Sequence, residues 1–144
     1  MIDSIIERAR RELPFAWRRN PWTYTDHGKK LLSSTDELNA YICAYGEMHK
    51  CKCLSALQNF PYEELPSTFE IVDWGCGQGI GTICMMECLY ARDPYLLRRL
   101  KRVTLIEPAS VSLTRALENV SNALKGWNIE VRALQNYLPA YNNS

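Results

Sequence analysis

Residues 71–79 read Ile-Val-Asp-Trp-Gly-Cys-Gly-Gln-Gly, an apolar run that stops abruptly in glycines at alternate positions. Glycine tolerates a positive φ and lets another group approach the backbone, so such a run marks a sharp turn with open space beside it. Upstream, Phe69 to Trp74 has the length and apolar character of a strand, set off by the polar, proline-containing stretch PYEELPST. Downstream, Ile80 to Ala91 is apolar and helical in character. Strand, glycine turn and helix in that order form a nucleotide-type loop. A dinucleotide fingerprint, Gly-x-Gly-x-x-Gly, is excluded: counted from Gly75 its third glycine falls on Ile80, and counted from Gly77 it falls on Thr82.

The rest of the chain extends the alternation. Asp93-Pro94 interrupts the helix, Tyr95 to Leu100 resumes as a short helical turn, and Val103 to Ile106 is a second strand. Ser110 is placed to cap a helix carrying Leu113, Ala116, Leu117, Val120 and Leu124 on one face; Gly126 ends it, and Ile129 to Leu134 alternates like a third strand. Strand, helix, strand, helix, strand predicts a parallel α/β sheet with right-handed crossovers and a ligand-binding edge at the strand C-termini. Before it, Ile2 to Trp17 reads as a helix closed by Pro14, and Arg18 to Lys30 as a connecting loop. Ser33, Ser34 and Thr35 ahead of Asp36 and Glu37 open one long helix through Leu57, with a bend at Gly46. The expected organisation is a helical segment over 1–66 and a ligand-binding portion over 67–144, in one compact unit.

Composition removes several function classes. A formal charge of +1 gives no whole-molecule attraction to nucleic acid. The chain holds no run of about 18 apolar residues, and its start, MIDSIIERARREL, lacks a signal-peptide core, so a soluble, cytoplasmic protein without membrane contact is expected. The six cysteines are then expected to stay reduced. Cys43, His49, Cys51 and Cys53 make no metal site by spacing, since Cys51 and Cys53 point apart on a helix. Cys84 and Cys88 share a helix face, as core residues do.

The glycine stretch resembles motif I of the class I S-adenosylmethionine-dependent methyltransferases, an acidic residue two positions before Gly-x-Gly-x-Gly, with Asp73, Gly75, Gly77 and Gly79 in register. The resemblance implies a Rossmann-like parallel sheet of the class I methyltransferase type with N-terminal helices, and S-adenosyl-L-methionine as the cofactor. Its methionine part is then expected over the backbone at Trp74, Gly75 and Cys76, where Cys76 is small enough to fit the loop. The family places an acidic residue at the end of the second strand to accept the ribose hydroxyls, and Glu107 stands there. A carboxylate suits that role because its two oxygens can hold a vicinal diol. Pro108, Gln135 and Asn136 are expected along the adenine. The gap from Gly79 to Glu107 exceeds the usual spacing of about 20 residues; the excess is assigned to an insertion around Arg92 to Lys101.

Taken singly, Asp73 reads equally as a helix cap, Glu107 as a solvated strand end and the glycines as a tight turn. Their joint register favours the ligand reading. Tyr41, Tyr45 and His49, on the preceding helix, are candidates for the methionine end or for packing. The family fold continues through a fourth strand and beyond, so the pattern covers only its cofactor-binding part, and no catalytic residue is named. An open sheet edge favours homo-oligomerisation. Two basic runs, PFAWRRNPWTYTDHGKK and Arg98, Arg99, Lys101, Arg102, lean toward RNA as the methyl acceptor, although a solvated helix face with loop aromatics packed in the core is the more ordinary reading of both. A fainter similarity to ribosome-associated methyltransferase-like proteins lies in the tyrosine-bearing helix and the Gly79-Ile-Gly-Thr82 ending. The competing reading is a noncatalytic protein that keeps the fold for protein or nucleic-acid interaction.

Overall fold

A computed structural model describes residues 1–137. Five helices and three strands follow in the order α1 (Ile2–Glu12), α2 (Thr35–Leu57), β1 (Phe69–Trp74), α3 (Ile80–Arg92), α4 (Pro94–Arg99), β2 (Leu100–Ile106), α5 (Ser110–Ala123) and β3 (Glu130–Leu134). Short 3-10 turns occupy Phe15–Trp17, Pro21–Gly28 and Tyr62–Glu64. The protein is thus a mixed α/β structure on a three-stranded parallel sheet ordered β1-β2-β3, a layout consistent with a Rossmann-like fold.

The cross-strand rows explain the sequence pattern. Ile71, Val103 and Val131 align on one face, with Asp73, Leu105 and Ala133 one pleat further on. Val103 and Leu105 are fully buried there beneath a core that includes Ile83, Met86 and Leu89 of α3 and Ala116 and Val120 of α5. The opposite face carries the rows Glu70–Arg102–Glu130, Val72–Thr104–Arg132 and Trp74–Ile106–Leu134. Its outer strands are open, with Val72 53% exposed, Trp74 46% and Leu134 53%, while Ile106 between Trp74 and Leu134 is buried. Parallel sheets ordinarily have both faces covered. Here Arg102 bridges Glu70 and Glu130, each at 2.8 Å, so one row of the open face is a solvated ion-pair ladder.

The N-terminal helices lie on the covered side. Ile2, Ile6 and Ala9 of α1 enter the same core, and Gly46 of α2 is buried where Ile6 crosses it, 3.3 Å from where a Cβ would stand. Gly46 is therefore a crossing point within the one long helix that the sequence predicts. The first helix stops at Glu12 with Leu13 extended, because the residue before Pro14 is disfavoured in the helical region. Ser34 caps α2 as expected, accepting from the Glu37 amide at 3.2 Å, while Ser33 donates to the Glu37 carboxylate at 2.8 Å. Ser110 does not cap α5: Ala109 holds the cap position and Ser110 is the first helical residue. The stretch from Arg92 to Lys101, expected as an insertion, contains α4, capped by Asp93, whose carboxylate accepts from the Tyr95 amide at 2.9 Å.

Candidate functional site

The site begins at the end of β1. Gly75, Gly77 and Gly79 all hold a positive φ, which an L side chain rarely adopts. Their surroundings divide them into two kinds. A Cβ on Gly79 would stand 3.1 Å from Val120 and 3.6 Å from the Ala116 backbone, so this glycine lets the turn pack on α5. A Cβ on Gly75 or Gly77 would meet nothing within 4 Å. Both border open space, and packing alone does not require them to be small.

That space is two adjoining cavities. One, about 310 Å³, is lined by Asp73, the loop from Gly75 to Gln78 and, from α2, Tyr41, His49 and Lys52. The other, about 180 Å³, is lined by Glu107 and Ala109, by Gly75 and Gly77, and by Gly28, Lys30, Leu31 and Leu32. Tyr41 and Gln78 line both. The two carboxylates singled out by the sequence thus serve neighbouring compartments joined along the glycine loop.

Each carboxylate is fixed by a local bond. Asp73 Oδ2 accepts from the buried Thr82 hydroxyl at 2.6 Å, which ties the strand end to the first turn of α3. Glu107 is buried; Oε1 accepts the Gly77 amide at 3.2 Å and Oε2 the Ala109 amide at 2.7 Å. Each carboxylate oxygen has two lone pairs, so one on each remains for a ligand hydroxyl. The loop is also pinned to the next strand, as the Cys76 amide donates to the Ile106 carbonyl at 3.0 Å. Burial, then Asp73 and Glu107, push the Cys76 thiol up from 9.0 to about 12, which keeps it protonated and non-nucleophilic at neutral pH.

A buried polar seam holds α2 and α5 against the loop. Gln78, 4% exposed, donates through Nε2 to the Leu38 carbonyl at 3.0 Å, and its backbone carbonyl accepts from Asn119 at 3.0 Å. Its Oε1 is buried and accepts no hydrogen bond. Further along, the buried Arg115 guanidinium donates to Asn39 Oδ1 at 3.3 Å. On α2, Tyr41, Tyr45 and His49 stand one turn apart with neighbouring rings, Tyr41 and His49 centred 5.6 Å apart. Burial, then Tyr45 and Glu107, raise the Tyr41 phenol, while burial, then Lys52, lower the His49 imidazole. The roof of the smaller cavity is strained: Asp26 and His27 precede Gly28 with φ of 48° and 52°, and Gly28 sits against the Tyr41 and Tyr45 rings.

The expected residues therefore separate. Asp73, Gly75, Cys76, Gly77 and Glu107 line the cavities; Gly79 supports the loop from behind. Trp74 points to the open sheet face and lines neither cavity. Pro108, Gln135 and Asn136 also lie outside both linings; Gln135 instead donates to the Pro108 carbonyl at 3.1 Å. Half of the basic cluster is engaged internally, since Arg99 bonds the Leu65 and Pro66 carbonyls and Arg102 pairs with two glutamates. All six cysteines are free, and among the described residues no His, Cys, Asp or Glu group is arranged for a metal ion. No described helix is long and apolar enough to cross a membrane. No family of known proteins, no curated protein and no solved structure matches the chain.

Proposed function

We propose that the chain is the S-adenosyl-L-methionine-binding portion of a class I methyltransferase. One observation carries this reading: Gly75 and Gly77 leave open backbone between two adjoining cavities, with Asp73 in one and Glu107 in the other. Such a site suits a ligand with a polar amino-acid end and a ribose end joined by a thin, close-lying middle. Glu107 would hold the ribose diol through its two remaining acceptor positions, Gly75 and Gly77 would admit the middle, and Asp73 would face the amino-acid end. The unpaired Gln78 Oε1 adds a buried acceptor along the same loop. When bound, the cofactor supplies an electrophilic methyl group on a sulfonium. The chain itself contributes position: the Thr82–Asp73 bond and the Gly77–Glu107 bond hold both carboxylates before a ligand arrives.

RNA as the methyl acceptor draws its remaining support from Arg98 and Lys101, since Arg102 is paired with Glu70 and Glu130 and Arg99 is held by the Leu65 and Pro66 carbonyls. A second reading, a noncatalytic interaction protein on the same fold, is favoured by the open sheet face, and a second copy of the chain against that side is the oligomeric form it suggests. Either form fits a cytoplasmic setting.

Calorimetric titration with S-adenosylhomocysteine tests the main reading. Micromolar binding, about 8 kcal/mol, that disappears in Glu107→Ala is expected; absence of binding by the folded wild-type chain overturns it and leaves the interaction reading.

A further inference from the structure

The larger cavity carries more information than its glycines. It joins surfaces from two distant parts of the chain, the β1 end with its loop and the middle of α2. Asp73 is the carboxylate on the first surface and Lys52 the ammonium on the second. Neither takes part in an ion pair among the described residues, with each other or with any third group. Two opposite charges facing one cavity without neutralising each other match a ligand that carries both signs itself, with its cation toward Asp73 and its anion toward Lys52.

We infer that Lys52 is the residue that recognises the carboxylate of the ligand's amino-acid end, with Asp73 taking the ammonium, so that the site selects nucleosides bearing an amino-acid zwitterion over nucleosides lacking one. This rests on the cofactor reading above and deepens it. His49 stands three residues before Lys52 and also lines the cavity, but its imidazole is held below its ordinary range by burial and by Lys52, so it is neutral at pH 7 and supplies shape more than charge. Tyr41 lines both the zwitterion compartment and the Glu107 compartment. The charge on Lys52 is solvent-exposed, so its contribution is a modest selectivity factor.

The test compares two probes on the folded chain, S-adenosylhomocysteine and 5′-methylthioadenosine, which shares the nucleoside and thioether but has no amino acid. The wild type should prefer S-adenosylhomocysteine. Lys52→Met should weaken that ligand about fivefold to tenfold and leave methylthioadenosine unchanged, while Lys52→Arg retains the preference. Lys52 is on the surface, so these variants should fold as the wild type does, which circular dichroism checks. An unchanged ratio of the two affinities in Lys52→Met overturns the inference while the cofactor reading stands. Failure of the wild type to bind either probe overturns both.

Discussion

Oε1 of Glu107 accepts the Gly77 amide across 30 residues of sequence, at 3.2 Å. This bond joins the ends of two adjacent strands just where both cavities open, so the same carboxylate organises the loop and faces the ligand space. In Glu107→Gln one end of the side chain becomes an NH2 donor that faces either the Gly77 or the Ala109 amide. That leaves a buried N–H unpaired, at about 1–3 kcal/mol. A lower melting temperature together with weakened S-adenosylhomocysteine binding is expected, read by calorimetry on the same sample.

The glycines should separate by function. Gly79→Ala places a methyl against Val120 at a residue with φ of 87° and should cost about 1–3 kcal/mol in stability. Gly77→Ala meets open space at φ of 54°, and its left-handed conformation costs only about 1–2 kcal/mol. It should fold yet lose at least about tenfold in S-adenosylhomocysteine affinity, because the new methyl enters the ligand's path. Urea denaturation and titration of both variants compare the two.

Thr82 is the hidden partner of Asp73. Removing its hydroxyl in Thr82→Val withdraws a donor from the carboxylate, at about 1–2 kcal/mol, and frees Asp73 to turn. Reduced ligand affinity is expected in the valine variant and near wild-type affinity in Thr82→Ser; equal affinity in all three proteins would show that Asp73 needs no orientation.

Alkaline pH should unfold the protein early. Burial is the first cause that raises Cys76 and Cys84 from 9.0 to about 12, and Tyr62 from 10.0 to about 12. Between the ordinary and the raised values the folded chain keeps protons that the unfolded chain has released, so stability falls as pH rises through that window. Thermal melts should be insensitive to these groups below about pH 9 and drop progressively toward pH 12, with a shallower drop in Cys84→Ala.

The strands and their alternation with helices were legible because a parallel sheet leaves a strong local trace: apolar runs of strand length separated by amphipathic helices. The glycine loop and both carboxylates were legible for the same reason, being local to strand ends. Lys52 and the roof from Gly28 to Leu32 were not, since their place in the site depends on α2 docking against α3 and on a strained turn that no spacing rule announces. Gln78 was in view as part of the loop, but its bond to Leu38 crosses 40 residues and exists only once α2 is in position. The Trp74 side chain, next to the motif in sequence, obeys the two-residue period of the strand and faces away from the cavities, which leaves only its backbone beside the loop. Ser110 lost its capping role because the chain turned into α5 one residue earlier, at Ala109, whose amide Glu107 already engages.

The one-sided sheet follows from handedness. Strands added in the same direction, β1 to β2 to β3, by right-handed crossovers place every connecting helix on the same side, whatever the side chains are. Covering the other side with crossover helices requires the winding to reverse, and a reversal adds strands on the side of β1 away from β2. Among the described residues, the unpaired edge of β1 and the exposed Val72, Trp74 and Leu134 are therefore one topological feature with two faces, and a polypeptide that pairs with β1 could bring its own helix directly over them.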